Sequence, residues 1–190
     1  MKSLLISVKI FFILTILTGI IYPLIMTGFA QIAFPEKANG SLITKYNKVV
    51  GSTLIGQQFD STIYFISRPS AVSYNPLSSG GSNLGLTNTK LKQIVDERRC
   101  QFITFNGLDK KTVVPSEMLF ASASGLDPHI SYKAAFLQVE RIAKARNFNS
   151  DQKLKLRRLI IKQIEYPQFL ILGEERINVL LLNLAVDKIK

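Results

Sequence analysis

The chain is poor in the residues that build disulfides, metal sites and histidine-based catalysis. Its 190 residues include one cysteine, Cys100, one histidine, His129, and no tryptophan. A single cysteine cannot close an intramolecular disulfide, and one cysteine with one histidine cannot form a structural zinc site. We therefore predict a fold that depends on its apolar core, with Cys100 packed inside as a small apolar residue and with no bound metal.

Acidic residues are scarce as well. The chain has 13 Asp and Glu against 24 Lys and Arg, a formal net charge of +11 at pH 7. Such a balance favours anionic neighbours such as lipid head groups, nucleic acid or an acidic protein. The basic residues are scattered and match no nucleic-acid-binding module, and their densest run, Lys153–Arg158, is typical of a solvated helix face. We therefore predict no nucleic-acid partner.

One long segment near the beginning of the chain lacks charge altogether. No charged residue lies between Ile10 and Phe34, and these 25 residues would span about 37 Å as a helix, enough to cross a bilayer. A cleaved signal peptide is the alternative, but its apolar core would be shorter and Gln31 is bulky for a cleavage site at Ala33. We predict an uncleaved anchor at residues 1–35 and a separate domain at residues 36–190.

The charges around this segment indicate its orientation. Lys2 and Lys9 precede it, and a short basic N-terminal tail is typical of the cytoplasmic side. We therefore predict a single-pass protein of the cell (inner or plasma) membrane, with a cytoplasmic N-terminus and an extracytoplasmic main domain.

Small and hydroxyl-bearing residues recur at every fourth position of the predicted anchor. The stripe consists of Thr15, Gly19, Pro23 and Thr27. Small residues at this spacing let helices approach closely in lipid, so the stripe predicts packing against other membrane helices. The alternative is that membrane helices are generally rich in these residue types.

The remaining chain alternates between short extended and helical patterns, which predicts the α+β class. A polar linker over Glu36–Tyr46, a long loop over Ser67–Asn88 and a turn over Ala121–Ile130 separate the elements. The predicted strands are Ser52–Ile55, Ile63–Ile66 and Phe169–Leu172. The predicted helices are 91–105 with Asn88 or Thr89 as cap, 131–146 with Ser131 as cap, 150–165 with Ser150 as cap, and a buried helix Ile177–Ile189.

Two groups of residues suggest chemistry, and for both we prefer a structural interpretation. Ser124, Asp127 and His129 contain the types of a hydrolytic triad, but triads are assembled from separate elements, whereas these lie in one turn. The glycine-rich loop Gly80–Gly85 lacks the lysine of a phosphate-binding loop, so docking on a partner is the better interpretation. The stretch Asp109–Thr112 likewise lacks the Gly-Thr of a P-type ATPase phosphorylation motif.

An ordered set of stretches resembles one known family, the C subunit of Kdp-type high-affinity potassium-transporting ATPases. The resemblance covers nearly the whole chain. The stretches are Tyr22–Leu24, Ala38–Ile43, Gly51–Gln57, Tyr64–Ala71, Tyr74–Pro76, Ser79–Gly85, Ala121–Ser131, Arg141–Asn147 and Asn178–Asp187. One departure is Gly85–Thr89, where the family commonly has Gly-Pro-Thr-Asn-Pro.

The resemblance implies a non-catalytic subunit of an ATP-driven potassium uptake complex. Its implied partners are a channel-like potassium-translocating subunit, a P-type ATPase catalytic subunit and a small single-helix subunit. The implied role is to support assembly and the use of ATP by the catalytic subunit, in the manner of a catalytic chaperone. No cofactor is assigned to this chain itself; ATP is implied by the resemblance alone, with the Gln138 side-chain amide as its contact, and the alternative for Gln138 is a solvated helix residue.

We expect the docking surface to lie on the loops around residues 68–71, 79–88 and 122–131, because such loops offer backbone amides and small polar groups. Two other function classes stay open from the residues alone: a membrane-anchored hydrolase and an anchored surface module that binds acidic polymers. The predicted docking residues are Arg68, Pro69, Ser70, Gly80, Gly81, Ser82, Asn83, Ser124, Gly125, Asp127 and His129.

Overall fold

The computed structural model describes residues 1–45 and 47–189 and divides into two compact units, Met1–Ser52 and a second that begins at Thr53. Tyr46, the last residue of the predicted linker, and Lys190, the last of the predicted outer domain, lie outside the described residues. Helices and short antiparallel strands are both present, which confirms the α+β class. The division into an anchor at 1–35 and a domain at 36–190 stays a prediction.

The first unit begins with one long apolar helix. It comprises α1 (Lys2–Ile16), a π-helical turn (Leu17–Ile21) and α2 (Tyr22–Ala33), and no residue in it is buried. The helix has 32 residues and its most apolar 18-residue stretch has a mean hydropathy of 2.5, so it is long and apolar enough to cross a membrane. The π turn directly precedes Pro23, which has no N–H to donate to the Gly19 carbonyl and whose ring would crowd it.

A short helix and a hairpin complete the first unit. α3 (Pro35–Ala38) is followed by β1 (Leu42–Lys45), which pairs antiparallel with β2 (Lys48–Ser52), Leu42 lying opposite Ser52. The Ser52 hydroxyl donates to the Gly40 carbonyl at 2.7 Å and so ties the hairpin to the turn before it. The predicted linker therefore contains regular structure. The predicted strand Ser52–Ile55 is wrong beyond Ser52, because β2 ends there.

The second unit is built around four helices. They are α4 (Thr89–Asn106), α5 (Tyr132–Ala145), α6 (Ser150–Lys162) and α7 (Val179–Val186). β3 (His129–Ile130) pairs antiparallel with β4 (Ile177–Asn178), and single 3-10 turns lie at Pro76–Ser78 and Ser116–Met118. α5 packs against α4 and α6, and α6 packs against α7. The core that they enclose includes Phe65, Phe102, Met118, Ile142, Leu156, Ile160, Ile177 and Leu182.

The helix boundaries follow local capping chemistry. Asn88 caps α4 by accepting from the Lys90 N–H at 2.9 Å, and Ser131 caps α5 by accepting from the Ala134 N–H at 3.1 Å, so both predicted caps are confirmed. α6 is capped by Asn149 rather than by the predicted Ser150, because Asn149 and Gln152 form a reciprocal capping box.

Three other predictions are corrected. The predicted helix Ile177–Ile189 begins only at Val179, because Ile177 and Asn178 form β4. Phe169–Leu172 forms a turn instead of a strand. Cys100 is exposed rather than packed inside, because it lies on the outer side of α4.

The predicted strand Ile63–Ile66 is also wrong, because this segment pairs with no other strand among the described residues. Ile63 lies in a turn and Tyr64 in a bend, only Phe65 of this range is buried, and the backbone bonds to side chains instead of a neighbouring strand. Asn183 of α7 accepts from the Phe65 N–H at 2.8 Å and donates to the Phe65 carbonyl at 2.9 Å. Gln138 of α5 accepts from the Ile66 N–H at 2.8 Å. Further side-chain donors to this part of the chain are Asn178 to the Thr53 carbonyl, Arg141 to the Thr62 carbonyl and Arg146 to the Ile63 carbonyl.

Candidate functional site

The predicted packing stripe of the anchor lies on the exposed surface of the long helix. The Thr15 hydroxyl donates to the Phe11 carbonyl at 2.8 Å, and the Thr27 hydroxyl donates to the Pro23 carbonyl at 2.7 Å. A Cβ added at Gly19 would meet no atom within 4 Å. Because both hydroxyls are bonded within their own helix, the stripe offers a neighbouring helix close approach rather than hydrogen bonds. Its packing role stays a prediction.

Two predicted docking loops lie against each other in the second unit. The Gly80 N–H and the Ser79 hydroxyl both donate to the Ser124 carbonyl, at 2.9 and 3.0 Å. Gly125 has a φ of +68°, and a Cβ there would come within 2.8 Å of the Gly80 carbonyl oxygen and of Val72. Only glycine fits this left-handed, crowded position. Residues far apart in the sequence therefore form one continuous loop surface.

The rest of that surface is arranged around Arg68 and Ser70. The Tyr74 hydroxyl donates to the Arg68 carbonyl, and burial raises the pKa of Tyr74 to about 12, so this donor keeps its proton at neutral pH. The Ser70 hydroxyl accepts from the Tyr74 N–H at 2.9 Å and from the Val72 N–H at 3.2 Å. Pro69 lies between these two anchored residues. The segment from Arg68 to Tyr74 is thus fixed by its own hydrogen bonds.

An ion pair joins this segment to the second loop. Arg68 Nη1 lies 2.7 Å from Asp127 Oδ2, and Asp127 Oδ1 lies 3.0 Å from both the ring Nδ1 and the backbone N of His129. Burial alone would raise the pKa of Asp127, but the hydrogen bonds from His129 and the charge of Arg68 outweigh it and hold that pKa below its usual value. Asp127 is therefore an ionised crosslink between the loops.

The hydrolase alternative meets a geometric obstacle at Ser124. Its hydroxyl accepts from the Leu126 N–H at 3.1 Å, and the ring Nε2 of His129 faces Glu165 Oε2 at 4.0 Å. Nucleophilic catalysis needs the serine in contact with the histidine. Among the described residues, the Ser124 hydroxyl bonds to the backbone of its own turn, and Asp127 bonds to both Arg68 and His129. Ser124, Asp127 and His129 therefore do not assemble as a triad.

The glycine-rich loop projects from the same surface. Ser82 and Asn83 are exposed, and Asn83 takes a left-handed φ of +53°. Gly81 lies closer in, since a Cβ there would sit 3.4 Å from the Ala123 carbonyl oxygen. The loop is therefore seated on the second loop and offers its polar tip to solvent, which suits docking better than enclosing a phosphate.

Gln138 is fully buried, so its interpretation as a solvated helix residue is wrong. Its Oε1 accepts from the Ile66 N–H and from Arg141 Nη2 at 3.0 Å, and its Nε2 donates to the Ala134 carbonyl at 3.3 Å. A nucleotide could reach this amide only if residue 66 moved away. Contact of Gln138 with ATP stays a prediction.

The sequence interpretation missed a hairpin at residues 165–176. Glu165 and Arg176 exchange backbone hydrogen bonds of 2.8 and 3.1 Å, and Arg176 Nε lies 3.0 Å from Glu165 Oε2. The hairpin and the Arg68, Asp127 and His129 side chains line one cavity of about 640 Å³. A usable signal was present, since the run after Pro167 shows neither strand alternation nor helical spacing.

Comparison with known proteins gives one consistent result. Residues 4–188 match the family described as "KdpC: K+-transporting ATPase, c chain". A protein of Burkholderia ambifaria named "Potassium-transporting ATPase KdpC subunit" is 50% identical over 183 residues, covering 95% of this chain and 93% of its own. Proteins with the same name from Leptospira interrogans and Burkholderia orbicola are 44% and 49% identical, covering 96% and 95% of this chain and 92% and 93% of their own.

Proposed function

We propose, from the premise that this chain belongs to the KdpC family of potassium-transporting ATPase subunits, that it is a non-catalytic subunit supporting assembly and ATP use. Membership in the family makes the chain a membrane subunit of the Kdp complex with a role in potassium transport. The finer role is our inference: the anchor would hold the outer domain in place, and the domain would dock on its neighbours and favour the ATP-using state of the pump.

The observation that carries this proposal is the long N-terminal helix. Its most apolar window has a mean hydropathy of 2.5, and 0% of that window is buried within the chain. In water such a surface would be strongly unfavourable, at about 25 cal/mol for each Å² of apolar surface exposed. The helix therefore favours an apolar surrounding such as lipid, which supports a membrane subunit, and the small-residue stripe adds support for packing against neighbouring helices in a larger assembly.

We place the remaining partners and the topology by the same reasoning. The N-terminus would be cytoplasmic and the domain extracytoplasmic. The neighbours would be a channel-like potassium-translocating subunit, a P-type catalytic subunit and a small single-helix subunit. An effect on ATP use would then pass through the membrane helices more readily than through direct nucleotide contact, since Gln138 is buried and already hydrogen-bonded.

The test is recovery of the complex from detergent with the tagged full chain. We expect the P-type ATPase and the channel-like protein to be co-purified. Gly19→Leu should reduce that recovery and the potassium-stimulated ATPase activity, because a large side chain blocks close helix approach. The matched control is Ile20→Leu, which changes the neighbouring residue outside the stripe. Recovery of the wild-type chain alone, as a stable monomer, would contradict the proposal.

A further inference from the structure

The hairpin at residues 165–176 carries a group of apolar side chains that are turned into solvent. We call Phe169, Leu170, Ile171 and Leu172 the apolar tip; their exposed fractions are 85%, 80%, 80% and 59%. Tyr166 beside them is 61% exposed. Large apolar side chains that cluster on a surface in this way mark interaction sites, whereas single exposed ones are ordinary.

The apolar tip is held away from the core by specific backbone contacts. Below it, Glu165 and Arg176 form an antiparallel bridge, and above that Gln168 and Leu172 form a second one with bonds of 3.1 and 2.9 Å. Phe169 and Leu170, which lie between Gln168 and Leu172, have left-handed φ values of +54° and +65°. Bulky residues in this region cost about 1–2 kcal/mol each. The hairpin therefore presents these side chains to solvent in a defined arrangement.

The charges at the base of the hairpin indicate what kind of partner this is. Within residues 165–176 the three glutamates, Glu165, Glu174 and Glu175, are all exposed, and the single basic residue of this range, Arg176, is paired with Glu165 at 3.0 Å. In a chain of net charge +11 this is a local acidic patch. Segments that bind membrane surfaces combine apolar residues with Lys and Arg, and acidic groups are repelled by anionic lipid head groups. The charges thus favour a protein over a lipid surface.

We propose that the apolar tip inserts into an apolar pocket, rimmed by Lys or Arg, on the extracytoplasmic surface of another subunit. This proposal rests on the proposed function, since it names the contact by which the outer domain docks. Its position agrees with the predicted docking residues, because the hairpin forms one wall of the cavity that Arg68, Asp127 and His129 line. The docking surface would then be centred on a cluster of exposed large apolar side chains, which is typical of an interaction site.

The first experiment measures co-purification of the other subunits with variants of the tagged full chain. Leu170→Ser should lower their recovery about tenfold or more, because a buried hot spot is lost, while the fold persists since the side chain is 80% exposed. Leu154→Ser on α6, where the side chain is 47% exposed, is the matched control and should leave recovery unchanged.

The outcomes separate this inference from the proposed function. If the wild-type chain is recovered without companions, the proposed function fails. If the wild-type chain and Leu170→Ser capture the other subunits equally well, the proposed function stands and the apolar tip is not the contact. If Leu154→Ser weakens capture as much as Leu170→Ser, the contact is not specific to the tip and the inference is again overturned.

The second experiment asks what surrounds the apolar tip. Since Cys100 is the single cysteine, Cys100→Ser with Phe169→Cys allows one environment-sensitive fluorescent label at the tip. In vesicles of zwitterionic and anionic lipids that carry bromine, the full chain alone should show no quenching. Addition of the other subunits should shift the emission to the blue and protect the label from aqueous iodide. Quenching by brominated lipid, alone or in the complex, would identify lipid as the occupant and overturn the proposal.

The third experiment tests the charge of the pocket rim. Glu174→Lys combined with Glu175→Lys should weaken capture about fivefold at low salt, because the new charges face a basic rim. High salt should remove most of that loss, since exposed charges are screened over about 10 Å at 0.1 M ionic strength. Unchanged or stronger capture by this variant at low salt would show that the rim is not basic.

Discussion

The two units of this chain obtain their stability from different sources. The helix Lys2–Ala33 buries none of its residues, whereas the unit that begins at Thr53 encloses a core in which Ile142, Leu156, Ile160 and Leu182 are all 0% exposed. The long helix has no internal core of its own, whereas the second unit depends on its own packing. Equivalent substitutions in the two units should therefore change different measurable properties.

The strongest test of this comparison is one pair of isoleucine truncations. Ile142→Ala should lower the unfolding free energy of the second unit by about 2–5 kcal/mol, because it leaves a cavity in a closed core. Ile13→Ala in α1, where the side chain is 63% exposed, should change it by less than about 0.5 kcal/mol. Chemical unfolding of the full chain in detergent, followed by near-ultraviolet circular dichroism, measures both. Similar losses in the two variants would show that the units are not energetically separate.

A somewhat smaller loss of unfolding free energy is expected at Asn183, whose side-chain amide bonds to the Phe65 backbone as a neighbouring strand would. Asn183→Leu removes both hydrogen bonds to the Phe65 backbone, at 2.8 and 2.9 Å, and leaves a buried N–H and a buried carbonyl without partners. We expect a cost of about 2–4 kcal/mol, since each such group costs about 1–3 kcal/mol. Thermal unfolding checks this, with Gln101→Leu on the exposed side of α4 as the control. A loss no larger than that of the control would mean that Phe65 finds other partners.

The smallest expected effect depends on pH and concerns the loop surface. The pKa of Asp127 is lowered in the folded chain because the hydrogen bonds from His129 and the charge of Arg68 outweigh the effect of burial. A lowered pKa stabilises the fold above the unfolded value of about 3.9, and the stabilisation is lost as the pH falls through the folded pKa. Asp127→Asn should cost about 1–2 kcal/mol at pH 7.

That cost should shrink as the pH falls below about 4, because the wild-type carboxylate then becomes protonated. Unfolding of wild type and variant across the pH range gives the difference directly. Asp96→Asn, exposed on α4, supplies the control. A difference that stays constant from pH 7 to the acid limit would refute an ionised crosslink at Asp127.

Elements specified by neighbouring residues could be predicted from the sequence. α4 and α5 are capped by Asn88 and Ser131, whose side chains accept hydrogen bonds from backbone N–H groups two to three residues further along the chain. Each capping residue and the N–H group that it binds therefore lie close together in the sequence. The long apolar helix could be predicted for the same reason, because its length and its lack of charge are local properties. The α6 boundary was missed by one residue because two adjacent residues, Asn149 and Ser150, can both cap.

Features that depend on distant residues could not be predicted. The segment Ile63–Ile66 has strand composition, but its hydrogen-bond partners are amides 72 and 118 residues away, which no local pattern reveals. The apolar run Phe169–Leu172 was predicted as a strand ended by Gly173, but it forms a turn whose side chains are exposed. Its exposure follows from the bridge between Glu165 and Arg176, a pairing across the turn.

The predicted docking loops combine a local sequence signal with contacts between residues that are far apart in the sequence. Their composition predicted irregular, functional segments, but the approach of Gly125 to Gly80 and the pair of Arg68 with Asp127 join positions 45 and 59 residues apart. The sequence proposed these residues and the fold brings them together on one surface, while their docking role stays a prediction.

The extended segment around Phe65 has a further consequence. The side-chain amides of Gln138 on α5 and Asn183 on α7 accept hydrogen bonds from its main chain, and the Phe65 ring is fully buried. The segment is thus bound in the way a receptor binds a peptide. A nick in the exposed stretch near Leu86 should therefore leave two fragments that remain associated, and a synthetic peptide spanning residues 53–76 should complement a chain that lacks it. The second unit should therefore depend more on the segment around Phe65 remaining bound between α5 and α7 than on the covalent connection of that segment to the rest of the chain.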